Sequence, residues 1–281
     1  MPIEIYTEIC NLLRQRRRCA LATIVNAGGS IPSVAAAKML VRDDESTLGT
    51  IGGGCVENDV VKGAIEVMNS EKPRTFTFNL NQQPDDDTGL ICGGSLQVFV
   101  EPIIPPPLLY IFGAGHVGFN VYKVAHIAGF EVVVVDDRET FANRERFPNA
   151  LEVHSGDMDM LLSSLDPPEN SYVVIATRGH RHDMRVLRWA LETNVQYIGM
   201  IGSGRKVLTI FQQLENEGVS SDSFDRVFAP IGLQLGSVTP EEIAVSIVAE
   251  LIGIRRKCDI PQSHERNRIR REKSPTTKAE V

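Results

Sequence analysis

The chain has 281 residues, 42% of them hydrophobic and 23% charged, with a formal net charge of −7. That is room for about two domains at near-average globular composition, which excludes a wholly disordered chain; the acidic balance argues against a general nucleic-acid binder, and no apolar run approaches the roughly 18 residues of a spanning helix, so no membrane partner is expected. An acidic start where a signal peptide would be basic, and five cysteines without paired spacing, lead to the expectation of a cytoplasmic protein with no disulfide framework.

In chain order, residues 3–18 read as a helix, with Ile5, Ile9, Leu12 and Leu13 spaced for one apolar face. Strands are predicted over 19–26, 38–42 and 48–51. The triplet Gly52, Gly53, Gly54 then precedes a helix over 55–69, and strands at 75–79 and 96–101 flank a second glycine pair, Gly93 and Gly94. The run 101–107, with three consecutive prolines, reads as an extended spacer. Beyond it, continuous apolar runs at 108–112, 132–135, 173–176 and 197–201 are of the kind parallel sheets bury on both faces. They alternate with helical stretches at 117–128, 158–164, 183–193, 205–217 and 240–254. The expected fold class is α/β: a small mixed α/β domain over 1–101, a proline-rich linker at 102–107, a Rossmann-like doubly wound parallel-sheet domain over 108–256, and a basic flexible tail over 257–281. From Arg255 onward the chain carries a charge of +5, leaving −12 for the remainder.

Three places can carry chemistry. Gly113, Gly115 and Gly118 form a G-x-G-x-x-G series after a predicted strand and before a predicted helix, a context in which glycines let the backbone approach a phosphate at a helix start. Asp136 lies where an acid would accept a hydrogen bond from an adenosine ribose, so a nucleotide such as NAD(P) is one possible ligand. A Rossmann domain that binds no dinucleotide is the other. Two further strand ends bring His180, His182, Asp183, Ser203, Arg205 and Lys206 to the same sheet edge. Ser203 with its two basic neighbours suits a phosphate, and the two histidines with Asp183 suit a ligand contact, a helix cap or a metal.

In the first domain Cys55 falls at the first turn of a helix, where partial positive charge favours the thiolate that attacks sulfur or binds soft metals. Cys92 stands beside Gly93 and Gly94. Small residues packed into glycine turns explain both cysteines equally well. Cys10 and Cys19 lie on apolar faces and read as core. No P-loop, G-x-S-x-G elbow or H-E-x-x-H helix is present, and no catalytic residue is assigned.

The chain resembles the xanthine dehydrogenase accessory factor (XdhC/CoxI) family. The likeness runs through Leu21-Ala-Thr-Ile-Val25, Gly29-Ser30-Ile-Pro32, Lys38-Met-Leu-Val41, Gly49-Thr-Ile-Gly-Gly-Gly-Cys-Val-Glu57, Cys92-Gly-Gly94, the 113–118 turn, Val135-Asp-Asp-Arg138, residues 177–183, Tyr197-Ile-Gly-Met-Ile-Gly-Ser203, Pro230-Ile-Gly-Leu233 and Thr239-Pro-Glu-Glu-Ile-Ala244. The resemblance implies an accessory protein rather than an enzyme. It would bind molybdenum cofactor (molybdopterin) transiently, protect its sulfurated form and aid its insertion into a xanthine dehydrogenase-type hydroxylase, with a cysteine desulfurase as a further partner. Carried onto this chain, Cys55 and Cys92 become candidate contacts for molybdenum or its sulfur, with Gly52, Gly53 and Gly54 approaching the pterin or phosphate. Two other readings stay open: an NAD(P)-dependent oxidoreductase using His116 or His180 as its acid or base, and a scaffold docking the desulfurase to the hydroxylase. A homodimer is expected on base rates.

Overall fold

The computed structural model describes residues 2–29, 36–79 and 94–258. The chain divides into two compact units, Met1–Pro105 and Pro106–Val281. In the first, helix α1 (Pro2–Arg14) leads into strands β1 (Cys19–Gly29), β2 (Lys38–Arg42) and β3 (Thr47–Gly49), then helix α2 (Cys55–Ser70) and strands β4 (Arg74–Asn79) and β5 (Gly94–Ile103). The strands form one antiparallel sheet in the order β3-β2-β1-β5-β4. Strand alternation decides which helix each residue meets. Ala20, Ala22 and Ile24 turn to the face covered by α2, where Val56, Val60, Ala64 and Val67 lie, while Cys19 and Leu21 join Ile5, Ile9 and Leu12 of α1.

Several local expectations shift. Helix α1 stops at Arg14 because Arg16 adopts a left-handed conformation (φ 57°). Cys10 is exposed, not core: it lies one residue off the stripe of Ile5, Ile9 and Leu12, about 100° around the helix. Cys19 is buried, and burial pushes its thiol up to about 11. Strand β1 runs past Asn26 through a bulge at Val25, since β5 offers partners as far as Gly94. Strand β5 extends into the proline run: β4 ends opposite Val100, so Pro102 sits where β5 has a neighbour on one side only.

The second unit alternates strand and helix: β6 (Leu108–Phe112), α3 (His116–Ile127), β7 (Glu131–Asp136), β8 (Glu152–Ser155), α4 (Met158–Ser164), β9 (Tyr172–Ile175), α5 (His180–Glu192), β10 (Tyr197–Met200), α6 (Gly204–Asn216), β11 (Val227–Phe228) and α7 (Pro240–Arg255). All strand pairs are parallel, in the order β11-β10-β9-β6-β7-β8. That is the order of dinucleotide-binding folds, and its topological switch point lies between β6 and β9. Leu108, Tyr110 and Phe112 pack toward α4, α5 and α6, whereas Leu109 and Ile111 pack toward α3 and α7. The apolar runs mark the central strands. Strands β8 and β11 escape such a reading because the first is a polar edge and the second has two residues. Among the described residues no helix is long and apolar enough to cross a membrane.

Candidate functional site

In the first unit the glycine triplet is required by the backbone. Gly52, Gly53 and Gly54 have φ of 124°, 81° and 73°, in a region that side chains other than glycine rarely enter. One carboxylate pins this turn: Glu57 Oε1 accepts from Thr50 Oγ1 (2.6 Å), Ile51 N (3.0 Å) and Gly53 N (2.9 Å). Burial alone would raise the Glu57 pKa, but these hydrogen bonds prevail and hold it below its ordinary value. Gly54 is the N-cap of α2 and supplies no side-chain cap. Cys55, the first residue of the helix, is exposed rather than packed into the turn, so the packing explanation fails for it. Cys92 and Gly93 lie outside the described residues, and Gly94 begins β5.

In the second unit the three motif glycines have different reasons to be glycine. A Cβ on Gly113 would stand 2.1 Å from Ala176 O, and one on Gly118 would stand 1.8 Å from Gly113 O. Close packing within the chain accounts for both. Gly115 has an ordinary φ of −70°, and a Cβ there would meet nothing within 4 Å. Nothing in the fold requires glycine at this position. The bare backbone at the start of α3 leaves space for an incoming group, the role of the middle glycine in dinucleotide-binding turns.

This turn is clamped on both sides of Ala114. Asp136 Oδ2 accepts from Ala114 N (2.7 Å), while Arg146 Nη1 donates to Ala114 O (3.0 Å) and Phe141 O (2.8 Å). Asp136 is 2% exposed. Its other contacts all come from Arg138, whose backbone N and Nε reach Oδ1 and whose Nη2 reaches Oδ2. With two donors on each oxygen, the acceptor sites of the carboxylate are filled from within the chain. Burial would raise its pKa, yet the bonds from Arg138 and Ala114 hold it low. The acid expected to meet a ribose is thus already engaged in shaping the loop.

The other expected residues gather at neighbouring strand ends. His116 and His180 are exposed first residues of α3 and α5, whose N-caps Gly115 and Gly179 lack side chains. The remaining α-helices of this unit carry side-chain caps: Asp157 on α4, Ser203 on α6 and a Thr239–Glu242 capping box on α7. His180, Ser203 and Arg205 line one pocket of about 360 Å³ together with Lys206. Asp183 lies within the first turn of α5, which begins at His180, three residues before the sequence pattern suggests. It is fully buried, accepts from Thr177 N (3.2 Å) and Thr177 Oγ1 (2.6 Å), and is ion-paired with Lys206. Neither Asp183 nor Lys206 is therefore free for a ligand, and no metal-ligating cluster occurs among the described residues. Glu57 and Arg146 were given no role by the sequence, and Arg178 stands only as one polar residue of the strand end 177–183. Glu57 closes the stretch Gly49–Glu57 that carries the family likeness, and its place three residues after the N-cap was the available signal.

Residues 109–251 match a family model described as the XdhC Rossmann domain, and residues 12–79 one described as the XdhC and CoxI family. Escherichia coli K12 YqeB, an uncharacterized protein, is 34% identical over 90% of this chain, which spans 46% of YqeB's length. A Bacillus subtilis relative, named as a probable subunit of xanthine dehydrogenase, is 23% identical over 90% of this chain and 98% of its own. The molybdenum cofactor insertion chaperone PaoD of Escherichia coli K12 is 24% identical over 86% of this chain and 85% of its own. A crystal structure of a Bacillus halodurans xanthine dehydrogenase shares the fold, with a TM-score of 0.51 at 23% identity over 92% of this chain and 99% of that one. The chain belongs to the XdhC and CoxI family, with an XdhC Rossmann domain as its second unit.

Proposed function

We propose that this chain is an accessory protein in molybdenum-hydroxylase maturation, holding molybdenum cofactor as transient cargo and passing it to a xanthine dehydrogenase-type enzyme. Its family and the activity named for PaoD support this reading. The structural observation that carries it is Cys55. Three consecutive left-handed glycines, pinned by Glu57, present an exposed thiol at the start of α2 where no side chain caps the helix. A soft sulfur ligand at a helix start that no side chain caps suits a guest that carries both a sulfur-bearing metal and anionic phosphate.

The test is to incubate the purified protein with sulfurated molybdenum cofactor, separate by size, and assay molybdenum and pterin in the protein peak. Both should travel with the wild type, and Cys55→Ala should weaken retention at least about tenfold. A peak free of molybdenum and pterin overturns the reading.

Gly115 supports a second binding role for the Rossmann unit. Its open position suits the pyrophosphate of an adenine nucleotide, either within a dinucleotide form of the cofactor or in a separate molecule such as NAD(P). Hydride turnover with NADH or NADPH would convert this role into that of an oxidoreductase, and binding without turnover keeps it accessory.

A further inference from the structure

The sheet order places β9 and β7 on opposite sides of β6. At about 4.8 Å per strand, the ends of β9 and β7 stand roughly 10 Å apart, with the 113–118 turn rising from β6 between them. Side chains that follow β9 reach across this gap to Asp137. Arg178, which follows β9, donates from Nη2 to Oδ2 of Asp137, which follows β7, at 2.6 Å. The arginine is 55% exposed and the aspartate 19%, so the pair lies on the solvent side of the crevice. Among the described residues, the other charged groups near Asp137 are Arg138 Nε, 3.8 Å from Oδ1, and His182 Nε2, 3.9 Å from Oδ2. Asp136, by contrast, has no acceptor position left.

We propose that Arg178 and Asp137 are an exchange pair for an adenine nucleotide: pyrophosphate at the glycine turn draws Arg178 away from Asp137, and the freed Asp137 carboxylate accepts the ribose hydroxyls. The inference rests on the nucleotide reading of the Rossmann unit and adds the residues that select the ligand. Two observations support it. Arg178 already reaches from the end of β9 to the end of β7, the two strands that flank β6 and its glycine turn, and a guanidinium there would make bidentate contacts to a phosphate bound at that turn. The usual ribose acid is engaged elsewhere, whereas the carboxylate of its half-buried neighbour, among the described residues, is hydrogen-bonded to Arg178 alone.

The exchange makes the two halves of the ligand respond oppositely. Adenosine carries the ribose but no phosphate, so in the wild type it must compete with Arg178 for Asp137. ADP brings the phosphates that remove the competitor. Titration calorimetry of the full chain with adenosine and with ADP, for wild type, Arg178→Ala and Asp137→Asn, reads this directly. The expected result is an ADP affinity lowered about tenfold in Arg178→Ala together with a raised adenosine affinity, and both affinities lowered in Asp137→Asn. Changes of the same sign for both ligands in Arg178→Ala, or no change, overturn the exchange while leaving nucleotide binding intact. A wild type that binds neither ligand overturns the exchange and the nucleotide reading together. Circular dichroism of both variants confirms that any loss is not unfolding.

Discussion

Gly113, Gly115 and Gly118 share a motif but carry different burdens, and substitution separates them. At Gly118 a side chain would collide with Gly113 O, so Gly118→Ala should cost at least about 2 kcal/mol in denaturant unfolding, through overpacking of a turn with no room to relax. At Gly115 the backbone tolerates any residue and space is open, so Gly115→Val should leave the unfolding midpoint near wild type while abolishing ADP binding. Equal loss of stability in both variants would mean that Gly115 is a packing residue. The motif's spacing located these glycines, but their division of labour was not legible in it. Nor was the task of Asp136, whose partners Ala114 and Arg138 are set by how β7 ends beside the turn. The partners of Arg146 and Arg178 were invisible for the same reason: each is met across strands that adjoin only once the strand order is known.

At the scale of elements, the two glycine turns share a device. A single carboxylate accepts backbone N–H groups and is held below its ordinary pKa: Glu57 for the turn before α2, and Asp136 for the turn between β6 and α3. Such a carboxylate binds its proton more weakly in the folded chain than in the unfolded one. Its stabilisation is therefore complete above the ordinary carboxylate range and is lost as pH falls through and below it. Asp136→Asn should destabilise the chain by about 3 kcal/mol at neutral pH and flatten the fall of stability below about pH 4. Glu57→Gln should do the same to a smaller degree, being more exposed. Thermal unfolding across that range checks both, and an unchanged acid limb in Asp136→Asn would contradict the assignment. Central strands and most helices were legible as elements because their apolar periodicity reflects burial on two faces. The edge strands β8 and β11 were not, since an edge needs little apolar surface. The start of α5 was misplaced because Gly179, an N-cap without a side chain, offers none of the usual signals.

A body carrying −12 before Arg255 gives no long-range attraction to an anionic guest, so the proposed binding would rest on local groups: glycine turns, uncapped helix starts and an exposed thiol. Sequence motifs located these features in both units, but Cys92 and Gly93 lie outside the described residues. In the proposed role the chain takes up molybdenum cofactor and gives it away. The most direct measurement is to mix cofactor-loaded protein with a molybdenum-free xanthine dehydrogenase-type hydroxylase, following the molybdenum content of each protein and the hydroxylase activity over time. Molybdenum should leave this chain as it appears in the hydroxylase, with activity rising in step and faster than with an equal amount of free cofactor. Activation no faster than with free cofactor, or molybdenum that stays with this chain, would contradict the claim.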